Sequence, residues 1–250
     1  TNVVAEIHLD KVSDDDVLNN AQTKLQHTKI SGYVTGDVDV GDLVTIRVGR
    51  KDLVAKVTSS GGKKVFSVDA STVDLVHDQN ITAHVTAHDD AGNRQEIDTA
   101  KTLTIDREAK GTVDIDNVTA DNVLNQQELQ ALKTTITGTV GGDAQKGDPV
   151  VLTIGNRTFN GSVDVLPGGR LGYQIDVDTD VLKANTSIDA KVTGHDAPGN
   201  PYSIHISHSY VVDDHAEGTI VINNGIAGDN VINQTESQHD TVISGVVTGD

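Results

Sequence analysis

No cysteine, methionine or tryptophan occurs in these 250 residues, aromatic side chains make up 2%, and there are only four prolines. Without cysteine, disulfides, thiolate metal sites and cysteine nucleophiles are excluded, so rigidity must come from packing or from ions held through oxygen. The scarcity of aromatics beside abundant Val, Ile and Thr argues for many thin β-strands with small aliphatic cores rather than one large core. No apolar run approaches 18 residues, and no segment reads as a membrane span. Positive charge is also short: 19 Lys and Arg stand against 37 Asp and Glu, a formal charge of −18. A nucleic-acid duplex would repel such a surface, which excludes that partner. The chain opens at Thr1 without a basic-then-apolar leader and reads as a piece of something longer.

What is plentiful is repetition. Asp15-Asp16-Val17-Leu18-Asn19 returns as Asp121-Asn122-Val123-Leu124-Asn125, 106 residues on, and again as Asp229-Asn230-Val231-Ile232-Asn233, a further 108. Ile30-Ser31-Gly32-Tyr33-Val34-Thr35-Gly36-Asp37 matches Ile136-Thr137-Gly138-Thr139-Val140-Gly141-Gly142-Asp143 and Ile243-Ser244-Gly245-Val246-Val247-Thr248-Gly249-Asp250. His88-Asp89-Asp90-Ala91-Gly92-Asn93 pairs with His195-Asp196-Ala197-Pro198-Gly199-Asn200, and the linker that begins at Asp106 aligns with the one that begins at Asp213. The period is one small domain. The chain therefore divides into repeats over 1–106 and 107–213, and residues 214–250 begin a third, incomplete repeat that supplies about two strands.

Alternation and turn punctuation predict seven strands in the first repeat, near 4–9, 27–35, 43–49, 53–59, 64–69, 80–88 and 95–105. A hairpin is expected to turn at Gly49-Arg50-Lys51 with Gly49 in the left-handed region. Asp15 to Gln22 carries the one helical signal, with Asp15 as its cap. Seven short strands in about 106 residues suit an all-β, immunoglobulin-like sandwich, with Phe66 and Tyr173 filling equivalent places between the sheets. The Cys–Trp–Cys core of antibody domains is absent.

Strands of alternating direction send successive loops to opposite ends. Asp37, Asp39, Asp42, Asp89, Asp90 and Asn93 then gather at the leading end of the first repeat. Asp10, Asp14, Asp15, Asp16, Asn19, Asp74, Asp78 and Asp106 gather at the trailing end. Repeats in series set that trailing cluster against Asp143, Asp148 and Asp196 of the next repeat. Two carboxylates 4 Å apart repel by roughly 1 kcal/mol even at the dielectric of water, and a calcium ion, which takes about six to eight oxygens in flexible geometry, relieves this. The candidate calcium ligands are Asp10, Asp15, Asp16, Asp37, Asp89, Asp106, Asp116, Asp121, Asp143, Asp196, Asp213 and Asp229, with Asp15, Asp106, Asp121 and Asp213 foremost. The competing reading of each is an ordinary turn residue or helix cap.

Catalytic signatures are missing. There is no Gly-x-Ser-x-Gly, His-Glu-x-x-His or phosphate-cradling Gly-Lys-Ser/Thr. Asp176-Val177-Asp178-Thr179-Asp180 opens like an EF-hand loop but has Val181 at its sixth position and Ser187 at its twelfth. His84 and His88 share a strand face without a third zinc ligand. An enzyme is not expected.

The set Asp-Asn-Val-Leu-Asn, Ile-Thr-Gly-Thr-Val-Gly-Gly-Asp, Lys146-Gly147-Asp148-Pro149-Val150-Val151-Leu152-Thr153-Ile154-Gly155-Asn156 and His-Asp-Ala-Pro-Gly-Asn resembles the bacterial Ig-like extender repeats of giant RTX adhesins of Gram-negative bacteria. The resemblance runs through the whole chain. It departs in the loop usually read Asp-Ala-Ala-Gly-Asn, which is Asp-Asp-Ala-Gly-Asn at 89–93 and Asp-Ala-Pro-Gly-Asn at 196–200. It implies a secreted cell-surface protein serving adhesion or biofilm formation. Its repeats would be a monomeric rod stiffened by calcium at and near the linkers, with neighbouring repeats of the same chain as partners. The alternative is a carbohydrate- or host-protein-binding Ig-like module, for which the Lys- and His-bearing features of the first repeat are the candidates.

Overall fold

Which way each side chain faces follows from the period of two along a strand. The computed structural model describes residues 2–249. Its first repeat runs β1 (Ala5–Leu9), β2 (Val17–Leu18), β3 (His27–Gly36), β4 (Leu43–Val48), β5 (Lys51–Lys56), β6 (Thr58–Ser60), β7 (Lys63–Ser71), α1 (Thr72–His77), β8 (Asn80–His88), β9 (Arg94–Thr102) and β10 (Thr104–Ile105). Two four-stranded sheets, in the orders β1-β3-β7-β6 and β5-β4-β8-β9, make the sandwich, and β10 pairs with β2 in a small parallel ribbon. Val44, Ile46 and Val48 of β4 and Ile81, Ala83, Val85 and Ala87 of β8 point inward with at most 1% exposure. Burying side chains of this size stabilises by about 1.5–3 kcal/mol each for the larger ones.

One glycine makes room for the largest core side chain. Gly32 and Phe66 are direct partners across β3 and β7. A Cβ at Gly32 would lie 2.1 Å from the His8 carbonyl oxygen and 2.5 Å from Phe66 Cζ.

By contacts the chain forms two units, Thr1–Thr112 with Val140–Pro149 and Val192–Ile204, and Val113–Thr139 with Val150–Lys191 and His205–Asp250. The second repeat follows the first element by element: β11 (Gly111–Val113), β12 (Val123–Asn125), β13 (Lys133–Gly142), β14 (Pro149–Ile154), β15 (Arg157–Ser162), β16 (Asp164–Val165), β17 (Leu171–Asp178), α2 (Thr179–Lys183), β18 (Ser187–His195), β19 (Pro201–Ser209) and β20 (Val211–Asp213). The orders β11-β13-β17-β16 and β15-β14-β18-β19 and the parallel pair β12-β20 recur. Gly138 faces Tyr173 as Gly32 faces Phe66, and the fully buried Tyr173 donates its hydroxyl to the Asp114 carbonyl at 2.9 Å. Burial raises that phenol well above its ordinary value, and Asp116 and Asp114 add to the effect. The third repeat contributes β21 (Gly218–Ile222) and β22 (Gly245–Gly249), paired antiparallel.

The expected sandwich is present, with three local differences. The segment Asp15 to Gln22 is not helical: it holds β2 and then a single 3-10 turn at Gln22–Lys24. Asp16 sits at φ 65, which no right-handed helix allows, and the Asp15 carboxylate accepts the Val17 N–H at 3.0 Å in a local turn instead of capping a helix. Helices instead occupy 72–77 and 179–183, where Thr72 and Thr179 are buried and bond Thr28 (2.8 Å) and Thr134 (2.9 Å) through their hydroxyls. The strands expected at 53–59 and 95–105 are each broken, the second at Leu103, whose N–H bonds the Gln79 carbonyl. The hairpin turn is as predicted: Val48 pairs with Lys51, and Gly49 has φ 60 at the first of two central positions.

Candidate metal centre

The loops gather by end as the strand directions require. At the leading end of the first repeat, the Asp37 carboxylate accepts the Val4 N–H at 2.8 Å and the Asp37 carbonyl accepts the His88 N–H at 2.9 Å. At the trailing end, Lys51 at the start of β5 reaches Asp74 of α1 at 2.7 Å.

The twelve candidate residues fall into four recurring pairs, one recurring trio and Asp16 by itself, each with defined partners. Asp10 and Asp116 accept the hydroxyls of Ser31 (2.8 Å) and Thr137 (2.7 Å) on the adjacent strands. Asp15, Asp121 and Asp229 each accept an N–H two residues ahead, at 3.0, 3.1 and 2.9 Å. The Val123 N–H and then the Thr119 hydroxyl hold the Asp121 carboxyl below the ordinary range. Asp37 and Asp143 close the leading edge of their repeats, Asp143 accepting the Lys110 N–H at 2.6 Å. Asp16 lies in the left-handed region and binds Lys101 Nζ through both oxygens, at 3.0 and 2.8 Å, and the Val12 N–H at 2.9 Å. Burial alone would raise that carboxyl, but the Lys101 and Val12 bonds hold it below its ordinary value. Asn122 and Asn230 take the same left-handed conformation in the later repeats, which Asp and Asn tolerate best.

Asp89 and Asp196 each close their loop on the asparagine four residues ahead. Asp89 accepts the Asn93 N–H (2.8 Å) and Nδ2 (2.7 Å), and Asp196 accepts the Asn200 N–H (2.6 Å) and Nδ2 (2.8 Å). Asn93 is exposed, whereas Asn200 is 2% and Asp196 6% exposed. Within the first unit, the 196–200 loop lies against the trailing end of the first repeat. Asn19 Nδ2 donates to the Pro198 carbonyl at 2.7 Å, the Asn20 N–H to Asn200 Oδ1 at 2.7 Å, and Asn200 Nδ2 to the Asp106 carbonyl at 3.0 Å. Nearby, Asp148 accepts the Tyr202 hydroxyl at 2.5 Å. Asn200 was missed among the candidates, although the asparagine ending both copies of the loop was a visible signal.

Asp106 and Asp143, acids from successive repeats, line one open cleft with Ile105, Arg107, Glu108 and Lys110. Two linker cations stand in the same cleft, one of which, Lys110, lies 3.8 Å from Glu108. In the second unit Asp213 lines a different cleft, with Asn125, Gln126, Gln127, His215 and Ala216, of which only Asp213 and His215 match positions lining the first. The linkers differ in charge: Arg107 and Lys110 are replaced by Asp214 and Glu217. Among the described residues no three His, Asp or Glu side chains are already assembled as a metal site. The donors around Asp106 are oxygen only, the chemistry that suits calcium rather than zinc.

The fold and its acid-lined linkers define a class: tandem immunoglobulin-like sandwiches joined in one chain. No family model and no curated protein matches the sequence. Solved structures do. One is of a 1.5-MDa bacterial ice-binding adhesin, from work on host cell surface retention; it is 33% identical over 86% of this chain and 66% of that chain, with a TM-score of 0.66. A second is a Ca2+-stabilized adhesin with which an Antarctic bacterium reaches out and binds ice, 34% identical over 100% of this chain and 59% of that chain, with a TM-score of 0.60. A bacterial immunoglobulin-like domain from the M. primoryensis ice-binding adhesin is 36% identical over 42% of this chain and 100% of its own, with a TM-score of 0.38. The chain spans 66% and 59% of the first two. It belongs to the Ig-like repeats of large bacterial adhesins.

Proposed function

We propose that the chain is part of the extender stalk of a secreted, cell-surface bacterial adhesin, with repeats over 1–106, 107–213 and from 214 onward that hold a ligand-binding region away from the cell. Its work is mechanical rather than catalytic. The observation that carries the calcium part of the reading is the shared cleft of Asp106 and Asp143 at the first linker, beside a relative that is itself a Ca2+-stabilized adhesin. Asp106, Glu108 and Asp143 would hold the ion there, and Asp213 would do so at the second linker. The ion would supply positive charge between facing carboxylates and so restrain the linker. Small-angle scattering and thermal melting of the whole chain, with calcium and then with chelator, test this. A maximum dimension and melting temperature unchanged by calcium would refute it.

One observation favours a second reading, a glycan-binding surface on the first repeat. His8 stacks on Tyr33 with centroids 4.6 Å apart and 19° between planes, and Lys63 Nζ lies 6.0 Å from the Tyr33 ring. The second repeat has Asp114 and Thr139 in place of His8 and Tyr33. A glycan array probed with wild type and Tyr33→Ala separates the readings: loss of a specific signal in the variant supports binding, and no signal in either removes it.

A further inference from the structure

We infer that the second repeat carries two acceptor sites for N-linked sugar, Asn156 and Asn160, at the edge strand β15. The inference goes beyond the stalk reading and is independent of calcium.

Six Asn-x-Ser/Thr sequences occur in the chain, at Asn80, Asn117, Asn156, Asn160, Asn185 and Asn233. This tripeptide, with x other than proline, accepts sugar where it lies on an accessible surface. Transfer uses the asparagine amide and the hydroxyl two residues on, so both must be open. In four of the six, one of them is engaged. Asn80 Nδ2 donates to Asp78 at 3.3 Å, and its Oδ1 accepts the Thr102 hydroxyl at 2.9 Å. The Thr119 hydroxyl, which follows Asn117, lies 2.9 Å from both the Asp121 carboxylate and the Val123 carbonyl. Asn185 Nδ2 donates to the Val181 carbonyl at 2.7 Å, and Asn233 Oδ1 accepts the Thr235 and Glu236 N–H groups at 3.0 Å.

Asn156 and Asn160 differ from these. Both are exposed, as are Thr158 and Ser162, and among the described residues none of the four side chains has a hydrogen-bond partner. Asn156 occupies the turn before β15, and Asn160 lies within the strand. A Cβ at Gly161 would come within 2.6 Å of Ile175 Cγ1. That position therefore faces the core, and Asn160 and Ser162 on either side of it face solvent together, as the period of two requires.

The strand also gives the sugar something to do. β15 is an edge of its sheet, as β5 is in the first repeat. Natural edge strands are guarded against pairing with other chains, commonly by charge. β5 carries Lys51, Asp52 and Lys56, whereas β15 reads Arg-Thr-Phe-Asn-Gly-Ser with Arg157 as its one charge. A bulky, solvated sugar at Asn160 supplies the guard that the side chains omit. In the transfer the amide nitrogen bonds to the anomeric carbon of a sugar diphosphate. The bond from that carbon to the diphosphate oxygen breaks, the diphosphate leaves with the electron pair, and a base of the transferase takes one amide proton. A nucleoside diphosphate sugar and a lipid diphosphate sugar share this chemistry.

Trypsin separates the two sites, placing Asn156 in the peptide 147–157 and Asn160 in 158–170. The test is mass spectrometry of these peptides from the chain as isolated from the bacterium that makes it. Each is expected to be heavier by at least one hexose or N-acetylhexosamine residue, with the peptides of the other four sites unchanged. Ser162→Ala, which keeps Asn160, should abolish the gain on 158–170 and leave thermal melting unaltered; a gain that persists there would overturn the assignment of Asn160. An unmodified peptide removes its site, and two unmodified peptides overturn the inference. Sugar at all six sites would overturn it as well, because the folded structure would then select nothing. Incubating unmodified recombinant chain with a soluble extract of the bacterium and a nucleoside diphosphate hexose, and in parallel with its membranes, shows which donor serves. A chain whose dimension and melting ignore calcium would refute the calcium reading and leave the sugar sites standing.

Discussion

Replacing Asp16 by asparagine isolates one ion pair with almost no other change. The residue sits at φ 65, a conformation that Asn adopts at least as readily as Asp, and Asn122 already holds it in the second repeat. The bond to the Val12 N–H survives, because Asn122 accepts the equivalent Val118 N–H at 3.2 Å. What disappears is the pair of charge-assisted bonds to Lys101, whose side chain is 18% exposed against 25% for Asp16. Charge-assisted bonds are about twice as strong as neutral ones, and after allowance for partial solvent screening the loss should be about 1–2 kcal/mol. For a repeat of about 100 residues this lowers the melting temperature by about 4–10 °C. The folded pKa of Asp16 lies below its ordinary value of 3.8, so the unfolded chain binds the proton more tightly. The contribution is therefore complete above the unfolded pKa and disappears as pH falls through the folded one. Calorimetry should find wild type and Asp16→Asn separated at pH 7 and converging toward pH 2. A difference of the same size at both pH values would refute the ion-pair argument, as would no difference at pH 7.

Gly32→Ala should destabilise the first repeat by about 2–3 kcal/mol through overpacking, because its methyl would meet the His8 carbonyl at 2.1 Å and the Phe66 ring at 2.5 Å; a fall in urea midpoint at unchanged m-value checks it. Tyr173→Phe removes the bond to the Asp114 carbonyl and should cost about 1 kcal/mol in the second repeat, read as a lower midpoint in the same titration. Asp106→Asn should reduce the calcium-dependent rise in melting temperature while leaving the temperature in chelator nearly unchanged. The second linker, where Asp214 and Glu217 replace Arg107 and Lys110, should bind calcium more tightly than the first, so calorimetric titration of Asp106→Asn and Asp213→Asn should show the larger loss of affinity for the second.

The strands and the end to which each loop goes were legible because both depend on local alternation and on counting reversals. The helix at 72–77 was hidden, since Thr-Val-Asp-Leu-Val-His is rich in β-branched residues and six residues carry too little periodicity; burial of Thr72 and Leu75 decides it. At Asp15 and Asp16 the sequence favours two structures, a capped helix or a turn, and the left-handed Asp16 settles the matter. Asp16 also shows why acid clusters are hard to read along a chain: its partner Lys101 is 85 residues away. The linker positions Asp106 and Asp213 stood out from the repeat alone. Asn200 did not, because an asparagine after glycine reads as a turn residue until the surface it meets is seen.

The parallel ribbons of the two repeats set how a pull along the chain is resisted. In the first, Val17 and Leu18 lie beside Thr104 and Ile105, running in the same direction near opposite ends of one repeat. Tension enters the repeat through β1, passes along the chain into β2 and leaves past the end of β10, so β2 and β10 are drawn along each other and their bonds are loaded together rather than opened one by one. The second repeat places Val123, Leu124 and Asn125 beside Val211, Val212 and Asp213 in the same sense. Resistance to force is governed by the rate of unfolding rather than by equilibrium stability, and a shear ribbon next to each linker puts that rate under the control of two or three residue pairs per repeat.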